Sequence, residues 1–346
     1  MSRASDVGPL REARVAVLYG GASEEKEISR ESGAGILNAL RSAGDPGGLH
    51  GPGEVLEIEI SESGHWQVGG RSCSMAEALL ALSEIDLFFL ALHGGAGENG
   101  TIQGALESSG IAYTGSGVAS SAVCMDKLYA RMLVQAHGLR VACGHEVRRG
   151  EWQACEDFHL DTLGCGGWVV KPRRGGSSVG VSRLEDQEQL EAALEAAFNI
   201  DEALIVEELV RGVEASIGVL DWLGESPVAL PPVEITPHDD KFYDYGEKYS
   251  EGGARLSCPP ESLDHARCER LREMALGAHR ALGCAGYSRT DFIVPTSGDP
   301  VFLETNTLPG MTSHSLLPHC AAAAGVDYRS LCLHIAADGL ARGARG

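Results

Sequence analysis

Positive charge is what this chain has least of. Its 28 Lys and Arg stand against 49 Asp and Glu, a net charge of −21. A surface that grips nucleic acid or an anionic membrane needs clustered basic side chains, so neither partner is expected. A polyphosphate ligand would need a locally basic site, which makes the placement of the few cations informative. Long apolar runs are missing too. No stretch approaches the ~18 apolar residues of a membrane span. The opening MSRASDVGPLREARVAVLYGG has too short an apolar run for a secretory signal, and the expected location is the cytoplasm. Ten Cys are scattered without a CxxC or CxxH pair, which argues against a zinc site and for reduced, mostly buried thiols. There is no internal repeat and no low-complexity tract.

What is present suffices for a real core: 346 residues, 43% of them hydrophobic. A chain of this length normally divides into two or three domains of ~100–150 residues. Its 45 glycines imply many loops and close backbone approaches. The segment Ser42–Glu54 reads as a flexible loop.

The most informative stretch is Tyr287–Asn306, YSRTDFIVPTSGDPVFLETN. Two apolar-rich runs flank a turn-rich PTSGDP, the pattern of a β-hairpin. A register symmetric about the turn sets Val294 opposite Val301, Asp291 opposite Glu304 and Arg289 opposite Asn306. Alternate side chains share a strand face. Arg289, Asp291, Glu304 and Asn306 then form one polar patch, with Phe292, Val294, Val301 and Leu303 on the other side. Two carboxylates and an amide oxygen are hard ligands suited to a Mg²⁺ that keeps waters and holds substrate phosphates. Taken alone, the stretch is equally consistent with a surface hairpin carrying a charge pair.

Along the chain, residues 13–21 read as a short buried strand ending in Gly-Gly. A helix follows, with Ser23 as cap and Glu24, Glu25 and Glu27 in its first turn. Strand, glycine turn and helix make the first unit of an open α/β sheet, where ligands gather at strand ends. Glu25 and Glu27 fit a helix-dipole role equally well. Strands are expected at 54–60 and from 85, the latter delivering His93 to the ligand side of the sheet, and a short one at 111–117. Residues 118–138 read as one helix carrying Lys127. WVVKPRRGGSSVGVS (168–182) reads as a strand through Lys171, a Gly/Ser loop, and a second strand. Such a loop can wrap a polyphosphate or be a plain turn. It is not a Walker A loop, because no GK[ST] opens a helix. A helix is expected at 184–199, then strands at 203–212, with Glu207 and Glu208 at the end, and at 215–222. Residues 242–254 have no core pattern and read as a lid. Residues 262–283 and the C-terminal VDYRSLCLHIAADGLA read as helices. After Pro309 and Gly310, Ser/Thr hydroxyls precede a helix N-terminus that could bind a carboxylate.

The motifs VAVLYGGASEEKEIS, LALHGGAGENGTIQGALE, YTGSGV with MDK, VVKPRRGGSSVGVS, FYDYGEKY, RTDF and LETNTLPGMTSHSLLP, in this order over almost the whole chain, resemble the D-alanine–D-alanine ligases of the ATP-grasp superfamily. The resemblance implies an α/β (α+β), three-domain ATP-grasp fold with an N-terminal open parallel-sheet domain. Its parts would be an N-terminal substrate domain (1–121), a central domain (122–214) and a C-terminal catalytic domain (215–346) with a lid at about 240–256. It implies ATP and Mg²⁺, with two ions and Mn²⁺ as a substitute, and a homodimer. Lys127, Lys171, Ser177 and Ser178 would contact the ATP phosphates, and Glu207, Glu208, Val210, Glu214 and Phe242 its adenosine. Asp291, Glu304 and Asn306 match the metal ligands. Glu25 would bind the first ammonium, with His93 beside it. Ser177, Tyr249 and Glu25 match a hydrogen-bonded trio, and Lys248 would reach the transferred phosphate. Arg289 and the Gly310 N–H would flank the developing oxyanion, and Ser315 and Leu316 would hold the second carboxylate.

Some positions depart from the family pattern. Asn99 stands where Asp is usual and is expected to loosen the loop around His93. Arg173 and Gly175 alter the phosphate loop. Thr305 replaces an apolar residue on the hairpin's core face, and Gly246 adds freedom to the lid. The implied activity is ATP-dependent joining of two D-alanines for peptidoglycan. The Lys248–Tyr249 pair argues against D-lactate-preferring relatives and leaves D-serine ligases, and dipeptide ligases of resistance or biosynthetic pathways, as alternatives. A nucleotide-binding protein without ligase activity is the third reading.

Overall fold

The computed structural model describes residues 8–42, 50–152, 166–222, 225–237 and 254–343. Residues 43–49 of the loop expected at Ser42–Glu54 and the lid residues Phe242, Gly246, Lys248 and Tyr249 lie outside the described residues.

The chain builds three sheets in succession. The first uses β1 (Arg14–Gly20), α1 (Lys26–Arg41), β2 (Glu54–Ile60), β3 (Trp66–Val68), β4 (Arg71–Cys73), α2 (Met75–Ala81), β5 (Leu87–Leu90), α3 (Gly95–Glu98), α4 (Thr101–Ser108) and β6 (Ala112–Tyr113). Strand order is β4-β3-β2-β1-β5-β6, parallel from β2 to β6 with an antiparallel edge at β3 and β4. Val15–Leu18 of β1 and Leu87–Leu90 of β5 are buried, the continuous apolar run of strands covered on both faces. The sheet reverses direction of build between β1 and β5. Their C-terminal ends open the crevice from which Glu25 and His93 emerge. Helix α1 lies close on β1 because Gly33 has no side chain. A Cβ there would sit 2.6 Å from the Tyr19 ring.

Helices α5 (Val118–Met125) and α6 (Lys127–Ala136) lead into β7 (Gly144–Arg148), β8 (Trp168–Pro172), β9 (Ser182–Leu184), α7 (Leu190–Phe198) and β10 (Ala203–Glu208). These strands form an antiparallel sheet, β7-β10-β8-β9, with its own core of Val147, Trp168, Val170, Leu194, Phe198 and Leu204. The single helix expected at 118–138 is broken. Asp126 is extended (φ −97°, ψ 97°), and its carboxylate caps the second helix by accepting the Tyr129 N–H at 3.3 Å. Lys127 is therefore the first residue of α6. The helix expected from 184 begins later: Leu184 ends β9, and Gln187–Gln189 form a 3₁₀ turn before α7.

The third sheet holds β11 (Val213–Leu220), β12 (Val228–Ala229), β13 (Val233–Thr236), β14 (Arg255–Ser257), β15 (Tyr287–Val294) and β16 (Val301–Asn306), with α8 (His265–Ala281), α9 (Leu316–Ala323) and α10 (Tyr328–Arg342). Its order is β14-β13-β11-β15-β16, with β12 on β11. Ala130, Val134 and Leu139 bury against this sheet together with α8, and Leu331, Leu333 and Ile335 of α10 return to the first core.

The hairpin of β15 and β16 keeps the expected pairs Arg289–Asn306 and Asp291–Glu304, but the symmetric register fails toward the turn. A bulge after Asp291 sets Phe292 opposite Phe302 and Ile293, not Val294, opposite Val301. Phe302 takes the core place expected for Leu303, edge-on to Phe292 with ring centroids 6.2 Å apart. Leu303 turns to a cavity wall instead.

Candidate active site

Two adjoining cavities, of about 780 and 950 Å³, open where the three sheets face one another. Lys127, Gly175, Gly176 and Glu304 belong to both, so the Gly/Ser loop is their shared wall. The first is lined by Glu25, Ser177, Arg289, Gly310, Ser315 and Leu316. The second is lined by Lys127, Lys171, Ser178, Glu207, Glu208, Val210, Glu214 and Asp291. The two compartments meet at the Gly/Ser loop, with Ser177 on the first side and Ser178 on the second.

The second compartment gathers Lys127, Lys171, Arg174 and Arg183 from this cation-poor chain, set among five carboxylates. Lys171 on β8 and Glu207 on the neighbouring β10 are diagonal, since Lys171 pairs with Ile205 and Glu207 with Val169; Nζ is 2.5 Å from Oε1 and both side chains are mostly buried. The other Glu207 oxygen is 3.1 Å from Arg131 on α6. Lys127 reaches from the start of α6 to donate to the Gly175 carbonyl at 2.5 Å, and stays 3.8 Å from the Glu304 carboxylate. Glu208 accepts the Cys143 N–H at 3.0 Å, which orders the end of β10. Arg174 and Arg183 add charge to the same wall and were not foreseen.

Arg173, which altered the expected loop, instead anchors it. Its guanidinium is 4% exposed. Nε donates to both Asp126 oxygens at 2.8 and 2.9 Å, and Nη1 donates to Glu146 at 2.7 Å. Hydrogen bonding to these carboxylates pushes the Arg173 pKa further up. Gly175 at φ 117° is a conformation that only glycine adopts easily. Ser177 and Ser178 follow at φ 52° and 58°, which is sparsely populated for residues with a side chain. Such a shape persists only when neighbours hold it. One holder is Glu25, whose carboxylate accepts a short hydrogen bond from the Ser177 hydroxyl. Glu25 is free to do so because it makes no side-chain cap on α1. Ser23 does not cap either: its hydroxyl donates to the His93 carbonyl at 2.6 Å.

His93 is the assigned residue that the structure sets apart. It is buried and lines neither cavity. Its Nδ1 lies 2.9 Å from the Leu308 carbonyl, which can only accept, so Nδ1 carries the proton. Nε2 then accepts from Ser32 Oγ at 3.0 Å, and Ser32 Oγ accepts the Met311 N–H at 3.1 Å. Burial holds the ring below its ordinary pKa, partly offset by the Glu25 charge. His93 therefore acts as a clamp from the first sheet onto residues 308–311, the segment that presents Gly310. Asn99 does not loosen this region. Its Oδ1 accepts from the Thr101 N–H at 3.0 Å and the Thr101 hydroxyl at 2.7 Å, tying the turn after α3 to the first residue of α4.

Glu98 was missed, although its place after a strand-end glycine loop was a usable signal. It lines the first cavity and accepts N–H bonds from Gly94 at 3.0 Å and Leu308 at 3.4 Å. Burial, with the charge of Glu25, pushes its carboxyl up to about 8. It stands as a neutral acid beside Glu25.

Asp291, Glu304 and Asn306 suit a hard divalent cation. Asp291 and Glu304 are direct cross-strand partners and line one cavity, and Asn306 stands two residues further along β16. Asp291 is oriented by Arg289 at 2.8 and 3.0 Å and by Ser216 at 2.5 Å, and the Asn306 Oδ1 accepts the Leu308 N–H at 3.0 Å. Oδ1 of Asp291 accepts from both Ser216 and Arg289, and Oδ2 accepts from Arg289. Among the described residues no three His, Cys, Asp or Glu gather as a metal site. Two carboxylates and one amide are too few for a protein-only cage and enough for Mg²⁺ shared with phosphates. The Thr305 hydroxyl between them meets Thr290 Oγ1 at 2.9 Å, so the polar residue on this strand is satisfied. Ser315 Oγ accepts the Thr312 N–H at 3.0 Å and sits where a side chain on Gly310 would collide with it, at 2.7 Å.

The chain is similar to known proteins along nearly its whole length. The family model described as D-ala D-ala ligase C-terminus matches residues 133–336, and that described as D-ala D-ala ligase N-terminus matches 71–116. The D-alanine–D-alanine ligase of Geobacter sulfurreducens is 41% identical over 325 residues, covering 93% of this chain and 92% of that protein. That of Leptospira interrogans is 38% identical, covering 95% and 99%. Among solved structures, the VanG D-Ala:D-Ser ligase from Enterococcus faecalis superposes with a TM-score of 0.80 at 30% identity, covering 94% and 98%. The D-alanine–D-alanine ligase from Coxiella burnetii gives 0.75 at 26%, covering 96% and 95%. With the matched model spanning more than half its length and relatives near 40% identity along nearly all of it, the chain belongs to the D-alanine–D-alanine ligase family, whose fold is the ATP-grasp.

Proposed function

We infer that the chain is an ADP-forming ligase that joins two D-alanines through an acyl phosphate. The observation that carries this reading is the pair of cavities meeting at one loop, with Ser177 of that loop bonded to Glu25 of the amino-acid side. The first D-alanine carboxylate attacks the γ-phosphorus of ATP. An O–P bond forms, the bond to the β-phosphate oxygen breaks, and ADP leaves. The amine of the second D-alanine then attacks the acyl carbon. A C–N bond forms, phosphate leaves, and the amine proton passes to solvent or phosphate.

The chain's own groups position and stabilise. Glu25 receives the first ammonium, and the neutral Glu98 beside it adds no second charge to be compensated. Lys127 and Lys171 neutralise phosphate oxygens, and Glu207, Glu208, Val210 and Glu214 receive adenosine. Arg289 and the Gly310 N–H stabilise the oxyanion at the acyl carbon, and Ser315 with the start of α9 receives the second carboxylate. Asp291, Glu304 and Asn306 would hold Mg²⁺, which supplies charge neutralisation on the phosphates. Lys248 and Tyr249 complete the lid reading. A mixed anhydride hydrolyses in water, so the lid's task is exclusion. Among the described residues no helix is long and apolar enough to cross a membrane. A cytoplasmic homodimer supplying dipeptide for peptidoglycan is the setting that the family resemblance supports.

The test is phosphate release from ATP and Mg²⁺ with D-alanine alone, then with D-serine or D-lactate competing, products identified by mass. D-alanyl-D-alanine as main product in each case is expected. A mixed product that wins the competition would move the chain to a D-serine-type role. Tight ATP binding without turnover would overturn the ligase reading.

A further inference from the structure

Two thiols from distant parts of the chain meet beside the first cavity. Cys124 on α5 and Cys284, in the turn between α8 and β15, hold their sulfurs 3.9 Å apart, although 160 residues separate them. Cys124 is buried and contributes to the wall of the first cavity. Cys284 is half-buried.

The surroundings fix both sulfurs and treat them differently. The Ser120 hydroxyl, one turn before Cys124 on α5, donates to Cys284 Sγ at 3.5 Å. The Cys284 N–H bonds the His279 carbonyl at 2.9 Å, and the next residue, Ala285, gives its N–H to Ser116 Oγ at 3.1 Å. His279, buried beneath the turn, is itself held by Ser288 at 2.8 Å. Two adjacent thiols share one proton most easily when one donates and the other accepts. The hydrogen bond between the two sulfurs pushes the Cys284 thiol down and the Cys124 thiol well up, and the Ser120 hydroxyl donates to Cys284 as well. The pair thus has a ready thiolate and a protonated partner within reach, the arrangement of an attacking and a resolving thiol.

We propose that Cys124 and Cys284 form a dithiol that a small peroxide closes to a disulfide, joining α5 to the turn that leads into β15. The Cys284 thiolate attacks a peroxide oxygen. An S–O bond forms, the O–O bond breaks, and the departing hydroxide leaves as water after taking a proton. Cys124 sulfur then attacks Cys284 Sγ. The S–S bond forms, the S–O bond breaks, and the second hydroxide leaves with the Cys124 proton as water. Two thiols lose two electrons, and the peroxide gains them.

Closure has a consequence for the site. The sulfurs must approach from 3.9 Å to bonding distance, roughly 2.05 Å. Helix α5 runs directly into Asp126 and Lys127, and the turn runs directly into Arg289 and Asp291. Drawing the two segments together displaces groups on both compartments. A misplacement of about 1 Å can lower turnover about a hundredfold, and that is the loss expected at full oxidation.

The experiment treats the full chain with one to several equivalents of hydrogen peroxide, alkylates remaining thiols, and maps peptides by mass without reduction. The expected product is a linked pair of the Cys124 and Cys284 peptides, lighter by two hydrogens, formed before any other cysteine pair and released by dithiothreitol with return of turnover. The mass readout does not depend on the ligase reading. In Cys124→Ser the resolving thiol is gone, and Cys284 is expected to accumulate as a sulfenic acid trapped by dimedone. Overoxidation of either residue without a linked pair, linkage no faster than among the other cysteines, or an unreactive Cys284 in Cys124→Ser would overturn the proposal. A linked pair with undiminished turnover would overturn its effect on the site.

Discussion

Replacing Arg173 by Met should cost about 3 kcal/mol of stability and weaken nucleotide binding. The guanidinium and the Asp126 carboxylate are 4% and 7% exposed, and the pair is forked, with bonds of 2.8 and 2.9 Å. Removing one partner of a buried pair costs about 3–5 kcal/mol, because the remaining charge is left without compensation. Asp126 would keep two weaker partners at 3.3 Å, the Tyr129 N–H and the exposed Arg174, which argues for the low end. Met retains apolar contact with the Tyr129 ring, now 4.6 Å from the guanidinium carbon, so the loss is chiefly electrostatic. At about 2–4 °C per kcal/mol, the melting temperature should fall by roughly 6–12 °C. The Arg173 carbonyl also receives the Lys127 N–H at 3.0 Å, so the start of α6 and the phosphate loop loosen together. KM for ATP should rise more than kcat falls. Arg173→Lys should lie between, since a compact ammonium cannot bridge Asp126 and Glu146 as the planar guanidinium does. Adding Asp126→Asn to Arg173→Met removes the stranded charge and should recover part of the loss. A shift under about 2 °C, or no recovery in the double variant, would refute the reasoning.

Three further outcomes are expected. Glu304→Gln should lower turnover about a hundredfold, near 3 kcal/mol of transition-state stabilisation; unchanged turnover at saturating Mg²⁺ would count against the hairpin as metal site. Glu98 holds its proton up to about 8 when folded and releases it near its ordinary value when unfolded. Folding therefore retains a proton across that window, and stability should fall as pH rises, by about 1.4 kcal/mol per pH unit, and level off above about 8. His93, held neutral by burial, gives the opposite slope below about 6.5, and Cys284, pushed down to about 7, gives it above about 7, so the Glu98 slope is least opposed between about 6.5 and 7. Urea midpoints over that range should show it, and Glu98→Gln should flatten it; a flat wild-type profile would refute it. Gly33→Ala should destabilise by about 1–3 kcal/mol in chemical unfolding, because its Cβ would lie 2.6 Å from the Tyr19 ring. An exposed helical Gly→Ala normally stabilises, so a gain would show that α1 and β1 are not in close contact.

The amino-acid order by itself determined the features that depend on near neighbours. Period-two alternation put Asp291, Glu304, Arg289 and Asn306 on one face of a hairpin, and the Gly/Ser run after Lys171 marked a loop between strands. Apolar runs gave β1, β2 and β5 nearly to the residue. The bulge after Asp291 carried no local signal, since Leu303 and Phe302 are equally apolar. Only packing against Phe292 decided that the aromatic enters the core and Leu303 faces the cavity. The break between α5 and α6 comes from Asp126 serving both as helix cap and as ion partner of a residue 47 positions away. The resemblance sets His93 beside the first amino acid, and its place at a strand end is local information. Its engagement by Ser32 and Leu308 is not, and that decides that it clamps the 308–311 segment. Glu98 became a neutral acid, and Cys124 met Cys284, only once desolvation and long-range approach were set by three sheets closing on one cleft. Local spacing selects strands, helices and turns because their hydrogen bonds join near neighbours. Burial, charge state and side-chain partners arise between segments far apart in sequence, and the tertiary structure alone brings those together.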